Sequence, residues 1–163
     1  MAIDMFLKLD QIVGESTDKV HAGDIEILSY SWGVSAETAH MKGAGGVAVG
    51  KASFSDLSVM KYQDSSSTSL FTSIALGKHY TKAVLVNRKT GGNAPVEFSK
   101  ITLSDVYVTS IQTSGSNGGD SRLMESVSFT FGKVEIEYKT TDQKGAVAQT
   151  LKAGWDLKSN TTV

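Results

Sequence analysis

The stretch Val96-Glu97-Phe98-Ser99-Lys100-Ile101-Thr102-Leu103-Ser104-Asp105-Val106-Tyr107-Val108-Thr109-Ser110-Ile111 alternates apolar and polar residues, but not on one side throughout. Phe98 lies on the even side, Ile101 and Leu103 on the odd side, and Val106 and Val108 on the even side again. Residues 123–138 repeat the behaviour: Val127, Phe129 and Phe131 are odd, while Val134, Ile136 and Tyr138 are even. Alternation at period two marks a strand with one buried face. A change of parity moves every later side chain to the other face. The switch near Gly132-Lys133 predicts a β-bulge that bends a long strand. Long bent strands are what a small closed or two-sheet barrel needs at its corners. The expected fold is therefore mainly β, a small β-barrel of two antiparallel sheets.

Working outward, residues 4–9, 47–54, 57–62 and 82–89 are further strand candidates, with Ser55-Asp56 joining the middle two. Residues 25–34 place Leu28, Tyr30, Trp32 and Val34 on one side, with Ser29, Ser31 and Gly33 between them, which predicts a strand with an aromatic buried face. One segment departs from period two. Ser65-Ser66-Ser67 precede Leu70, Phe71, Ile74 and Ala75 at helical spacing, and Gly77, Lys78 and His79 follow. A serine N-cap, an apolar stripe, a glycine stop and cations at the end predict one short flanking α-helix over about 65–77, with His79 as a C-terminal cap. Glycine and small polar residues mark loops at 14–24, 39–46, 90–95, 112–121 and 141–154. Pro95 falls in one of them, where it interrupts no ladder. No repeat at a solenoid period and no composition shift divides the chain, so residues 1–163 are expected to form a single domain.

Composition removes several function classes. The chain has 163 residues, with sixteen Lys and Arg against seventeen Asp and Glu, a formal charge of −1. Such a surface has no basic field for a phosphate backbone, so no nucleic-acid partner is expected. It also offers little to keep copies of the chain apart. There is no cysteine, which excludes disulfides, thiolate metal sites and a cysteine nucleophile. The first residues lack a basic start and a long apolar run, so no secretory signal is read there. Apolar runs such as Ala83-Val84-Leu85-Val86 are too short to span a bilayer, and no membrane insertion is expected.

Single motifs supply no chemistry. Gly45-Gly46-Val47-Ala48-Val49-Gly50-Lys51-Ala52 imitates a phosphate loop, but Ala52 lacks the hydroxyl that holds magnesium, and the residues after the glycines read as strand. Gly43-Ala44-Gly45-Gly46-Val47-Ala48 fails as a dinucleotide fingerprint for the same reason. His21, His40 and His79 stand alone, with no second histidine at metal spacing. No G-x-S-x-G elbow occurs. Asn160-Thr161-Thr162 fits a glycosylation triplet that has no secretory context. No catalytic residue, metal ligand or cofactor is assigned, and the chain is not expected to be an enzyme. In Asp120-Ser121-Arg122-Leu123-Met124-Glu125 a loop becomes a strand. Glu125 shares the odd face with Val127 and Phe129, so it points inward and must be paired. Arg122 and Glu125 are therefore read as a structural pair or an intersubunit contact rather than as a general-acid site.

The complete series of segments resembles the haemolysin-coregulated protein (Hcp) family of type VI secretion. It begins with Asp4-Met5-Phe6-Leu7-Lys8-Leu9, Gly14-Glu15-Ser16-Thr17-Asp18-Lys19 and Ser31-Trp32-Gly33-Val34-Ser35. It continues through Gly77-Lys78-His79, Arg88-Lys89-Thr90-Gly91-Gly92, Lys100-Ile101-Thr102-Leu103, Arg122-Leu123 and Glu125-Ser126-Val127. It closes at Ala153-Gly154-Trp155-Asp156-Leu157-Lys158. The resemblance implies a β-barrel with one helix that closes into six-membered rings. Stacked rings form the inner tube of a contractile machine with sheath, spike and baseplate proteins as partners. The tube protein is cytoplasmic before firing, is then expelled without a signal peptide, and can carry small effector proteins in its lumen as a chaperone. Residues 39–53 match the family's long protruding loop, making His40, Met41, Lys42, Gly43, Gly45, Gly46 and Val47 candidates for ring and stacking contacts. The stretch 114–120 matches a lumen-side loop, so Ser114, Gly115, Ser116, Asn117 and the Ser-Trp-Gly residue Ser31 are lumen and effector candidates. The run Gly119-Asp120-Ser121-Arg122 has one acidic residue where the family often has two, and 143–152 is less glycine-rich than usual. A monomeric β-barrel binding module and a secreted effector with an unrecognised activity remain as alternatives.

Overall fold

The computed structural model describes residues 2–40, 47–90 and 94–163. Its elements follow in the order β1 (Ile3–Leu9), β2 (Ile25–Glu26), β3 (Ser29–Ser31), β4 (Val34–His40), β5 (Val47–Phe54), β6 (Leu57–Tyr62), α1 (Ser67–Leu76), β7 (His79–Lys89), β8 (Val96–Ser114), β9 (Met124–Thr141), β10 (Val147–Asp156) and β11 (Thr161–Thr162). The fold is mainly β, and the described residues form a large antiparallel sheet, a separate two-stranded sheet and one short helix.

The parity switch is a bend shared by two strands. Ser104 opposes Lys133 and Val106 opposes Phe131 in one unbroken register, so no residue is inserted between them. The bulge expected at Gly132-Lys133 is thereby corrected; the register shift of this pair lies between Val108 and Ser110. Asp105 adopts φ 54° at the bend, a left-handed conformation that side-chain sterics disfavour and Asp tolerates better than most. Gly132 makes room opposite it: an added Cβ would sit 3.2 Å from the Asp105 Cβ and 2.8 Å from the Lys158 Cε. On the two sides of this corner β9 has different second neighbours, β6 over Met124–Phe129 and β10 over Lys133–Thr141.

The large sheet runs β11-β10-β9-β8-β7-β1-β2, with β6 on β9 and β3 on β6. Its two ends are drawn together by residues 25–31. Ile27 N–H donates to the Met5 carbonyl at 3.0 Å and Leu28 N–H to the Met60 carbonyl at 2.8 Å. Inside this barrel-like wall Leu7, Leu57, Val59, Leu85, Leu103, Val106, Val127 and Phe129 are buried. The single strand expected over 25–34 is also corrected. The segment passes from β1 to β6, and its inward residues change on the way: Ile25 and Ile27 are buried, Tyr30 and Trp32 pack on the core, and Leu28 and Val34 are exposed.

The loop 10–24 straps the other face of β1 and β7. His21 stacks on Phe6 with ring centroids 4.4 Å apart. Its Nδ1 lies 2.9 Å from an Asp24 carboxylate oxygen and its Nε2 lies 2.8 Å from one of Glu97. Arg88 donates to both carboxylate oxygens of Asp18, at 3.0 and 2.6 Å, and to Asp4 at 3.0 Å. Its hydrogen bond holds the Asp18 carboxyl well below the usual carboxylate range.

The helix lies where its pattern places it, but its caps differ from the expectation. Ser66, at the N-cap, makes no side-chain cap hydrogen bond. Asp64 ties down this end instead. Its carboxylate accepts the Ser66 N–H at 2.9 Å, and its own N–H donates to the Ser67 hydroxyl at 3.0 Å. Gly77 closes the helix in the left-handed conformation, φ 61°, with Gly77 N–H on the Ile74 carbonyl and Lys78 N–H on that of Ser73. His79 does not cap the helix. It belongs to β7, where its Nε2 meets Asp105 Oδ1 at 3.1 Å. Residues 147–154, expected within a loop, form most of β10.

Candidate functional site

Cross-strand register places two of the sequence-derived candidates on one face. Ser31 opposes Ser58, Ser58 opposes Ser128, and Ser128 opposes Ser110. The next row is Ser29, Met60, Ser126 and Gln112, and beyond it Tyr62, Met124 and Ser114 align. Directly opposed residues share a side of the sheet, so Ser31 and Ser114 sit on the same face. None of these side chains carries a charge, and the Ser58 and Ser128 hydroxyls are 3.0 Å apart. The reverse face carries Val59, Val127 and Phe129 and is core.

Gly115, Ser116 and Asn117 continue from Ser114 into an exposed loop. The loop is pinned at both ends. An added Cβ on Gly115 would lie 2.5 Å from Leu123 Cδ2. At the other end the Arg122 guanidinium lies 3.8 Å from the Tyr62 ring centroid and donates to Asp120 at 2.9 and 3.2 Å. That hydrogen bond holds the Asp120 carboxyl below its ordinary value and the Arg122 guanidinium above its own.

Arg122 and Glu125 are not brought together. Glu125 is 1 % exposed and its partner is Lys61, also 1 % exposed, directly opposite in β6. Lys61 Nζ donates to Glu125 Oε2 at 2.9 Å and to Ser67 Oγ at 3.2 Å, and lies 3.0 Å from Asp64 Oδ1. Ser67 Oγ donates to the same Glu125 oxygen at 2.8 Å. The cluster ties the N-terminus of α1 to β6 and β9, with each charge facing an opposite charge or a hydroxyl, the condition under which buried ions are tolerated. Lys61 was legible in principle: Leu57, Val59 and Lys61 alternate in phase, which puts a lysine on the inward face beside an inward carboxylate.

The stretch 39–53, expected as a long protruding loop, is largely a β-hairpin. β4 and β5 pair antiparallel from Val34↔Phe54 to His40↔Val47. They form a sheet of their own, and residues 34–39 are all exposed. His40 ends β4 and Val47 begins β5, whereas Met41, Lys42, Gly43, Gly45 and Gly46 lie outside the described residues. The base is clamped where Ser55 N–H donates to the Gly33 carbonyl at 2.9 Å and Gly33 N–H donates to Ser55 Oγ at 2.8 Å. Phe54 packs edge-on against Phe131, anchoring the hairpin to the core.

At the β10 end of the large sheet the core face runs out into solvent. The row Leu7, Leu85, Ile101, Ile136 and Ala153 begins fully buried and ends exposed. In the neighbouring row Tyr138 is 48 % and its cross-strand partner Leu151 is 47 % exposed. Among the described residues β10 pairs with β9 on one side, but with β11 only at Trp155 and Asp156 on the other. An open strand edge can template pairing with another chain, and exposed apolar surface is costly to leave in water.

Three comparisons bear on this arrangement. Residues 6–138 match the family model described as "Type VI secretion system effector, Hcp". The chain belongs to the Hcp family. It is 43% identical over 161 residues to Protein hcp1 of Pseudomonas aeruginosa, covering 98% of both chains. Among solved structures it resembles Hcp1 from Salmonella typhimurium at 37% identity and TM-score 0.82, over all of both chains. A second, described as a type six secretion system protein, gives 33% identity and TM-score 0.94 over 99% of this chain and 100% of that one.

The matched span of this Hcp chain contains the uncharged face, the buried Lys61–Glu125 cluster and the hairpin, while β10 lies beyond its end. Among the described residues no group of three His, Asp or Glu side chains is arranged to hold a metal ion. No described helix is long and apolar enough to cross a membrane. His79, Asp105 and Lys158 do cluster at the barrel corner: Lys158 Nζ donates to Asp105 Oδ2 at 2.7 Å, and this bond, followed by that of His79, holds the Asp105 carboxyl below its ordinary value. The surface residues that sequence reasoning missed are Ile136 and Tyr138, because alternation assigns a face without saying whether anything covers it, and Leu151, because its segment, expected as loop, is strand.

Proposed function

We propose that this Hcp chain is a structural subunit of a type VI secretion inner tube, with six copies closing into a ring and rings stacking into a conduit. The observation that carries the reading is the apolar row that leaves the core at Ile136, Tyr138 and Leu151, next to the open edge of β10. A fully buried leucine or isoleucine contributes roughly 1.5–3 kcal/mol, and a lone chain leaves much of that unrealised. A second copy seated there recovers it, and a heterologous contact of this kind repeats until the rotation closes. The β4–β5 hairpin, projecting from a clamped base, supports a role in contact between copies or between stacked rings. The uncharged rows from Ser31 to Ser114 support a channel-facing side that holds small effector proteins. On this reading the sheath, spike and baseplate proteins of the machine are partners, the chain leaves the cytoplasm with the tube, and its role involves no catalysis.

The test is native mass spectrometry and negative-stain microscopy of the purified chain over a concentration series. Six-copy species and annular particles are the expected result. Monomers alone at every concentration overturn the proposal and favour the binding-module alternative. A bulky residue in place of Ser116 tests the channel side, with loss of effector retention from rings that still assemble as the expected outcome.

A further inference from the structure

We infer that the Asn117-Gly118 bond is a site of spontaneous covalent modification, at which Asn117 deamidates through a succinimide to aspartate and isoaspartate. The inference is independent of the ring reading. In this step the Gly118 amide nitrogen attacks the Asn117 Cγ. A C–N bond forms, the bond from Cγ to the side-chain nitrogen breaks, and that nitrogen leaves as ammonia with the Gly118 amide proton. Water then adds to one carbonyl of the ring and opens it. No electron is transferred, and solvent water is the co-reactant.

The fold selects this asparagine among those it describes. The attacking nitrogen must be free and the chain able to close a small ring on itself. Residues 115–121 have no strand or helix and are all exposed. Gly118 N–H donates no hydrogen bond among those the structure records; the loop's own bond, from Ser116 Oγ at 3.3 Å, goes to the Gly118 carbonyl. Gly118 carries no side chain to hinder approach to its nitrogen. The other described asparagines are protected. Asn87 is buried in β7, with its side-chain amide donating to Tyr30 Oη at 3.0 Å, and Arg88 follows it. Asn160 is followed by Thr161, a β-branched residue paired in β11.

Conversion adds one negative charge per chain to a formal charge of −1, on a loop whose neighbouring strand face has none. The test incubates the full chain at mildly alkaline pH and follows intact mass, anion-exchange retention and isoaspartate by peptide mapping. The expected result is a mass gain equal to the difference between OH and NH2, a later-eluting species, and isoaspartate at position 117. Gly118→Ala is the matched control: its Cβ meets nothing within 4 Å and its φ is not left-handed, so the fold is kept while the side chain slows attack several-fold or more. An unchanged mass in the folded chain, while the unfolded chain deamidates, overturns the inference. So does conversion at another asparagine before 117, or an equal rate in Gly118→Ala. Sizing the aged protein separates this result from the assembly test, because deamidation is read by mass whether or not rings form.

Discussion

Lys61 and Glu125 illustrate how a buried charge is made tolerable. Removing Lys61 leaves Glu125 charged and dry, with the Ser67 hydroxyl as its remaining partner, which costs about 3–5 kcal/mol. Lys61→Met is therefore expected to lower the urea midpoint sharply and Glu125→Leu to lower it less, because Lys61 keeps Asp64, while the double variant Lys61→Met/Glu125→Leu loses less than Lys61→Met alone. Losses that simply add would mean the pair is uncoupled. On the opposite face, Arg88 and Asp18 set an acid limit. The folded Asp18 carboxyl is held far below its ordinary value by its Arg88 hydrogen bond, so the unfolded chain takes up that proton first. The stability it contributes is present above about pH 4 and is lost as pH falls below that. Arg88→Met should be less stable at neutral pH yet lose less between about pH 5 and 3 than the parent, as read by unfolding midpoints along a pH series. Parallel curves would remove Asp18 from the acid response.

Among the elements, the bent β8–β9 ribbon does most to shape the molecule, and its parity change is visible in the amino-acid pattern of both strands. Whether the change is a bulge or a shared bend was not legible, because parity belongs to one strand and register belongs to two. Asp105 and Gly132 decide it, one by adopting the left-handed conformation and the other by leaving space. Left-handed backbone costs a side-chain-bearing residue roughly 1–2 kcal/mol and glycine very little. Asp105→Gly and Asp105→Ala lose the same contacts to His79 and Lys158, yet the glycine variant should be more stable by about 1 kcal/mol. Equal midpoints in thermal or urea unfolding would show that the bend relaxes in the alanine variant. The helix was legible from Leu70, Ile74 and Gly77, but its cap was not: three consecutive serines drew attention from Asp64, whose carboxylate is the stronger acceptor. β10 was not legible because of its polarity, since Gln149, Thr150 and Lys152 surround Leu151 and residues 147–153 are exposed on both faces.

At the scale of the whole molecule, the proposed association uses parts of the surface that the fold does not, and variants should separate the two. The hairpin is the first case. Among the described residues its strands pair only with each other, and its base is held by Gly33, Ser55 and Phe54. Joining Ser35 to Ser53, which are directly opposed, through a short glycine linker should leave the thermal midpoint of the isolated chain nearly unchanged while weakening rings or their stacking. Loss of the fold would instead make the hairpin part of the core. The uncovered apolar row is the sharper case, and one that nothing in the sequence distinguishes from core. Tyr138 alternates in phase with the buried Val134, so by pattern it is interior, and Leu151 lies directly opposite it in β10; among the described residues no layer covers the two, and that makes them surface. Half exposed, each withholds on the order of 1 kcal/mol of burial from the lone chain, so replacing them with charge takes little from the fold. In the proposed ring the same two positions would be buried, and an unpaired carboxylate there would cost several kcal/mol at each contact. Tyr138→Glu/Leu151→Glu should therefore keep the parent's circular dichroism and melt within a few degrees of it, yet run as a monomer in sizing and native mass measurements. Intact rings in that double variant would place the contact on another face, and a collapse of the melting temperature would mean the two side chains stabilise the lone chain more than their exposure allows.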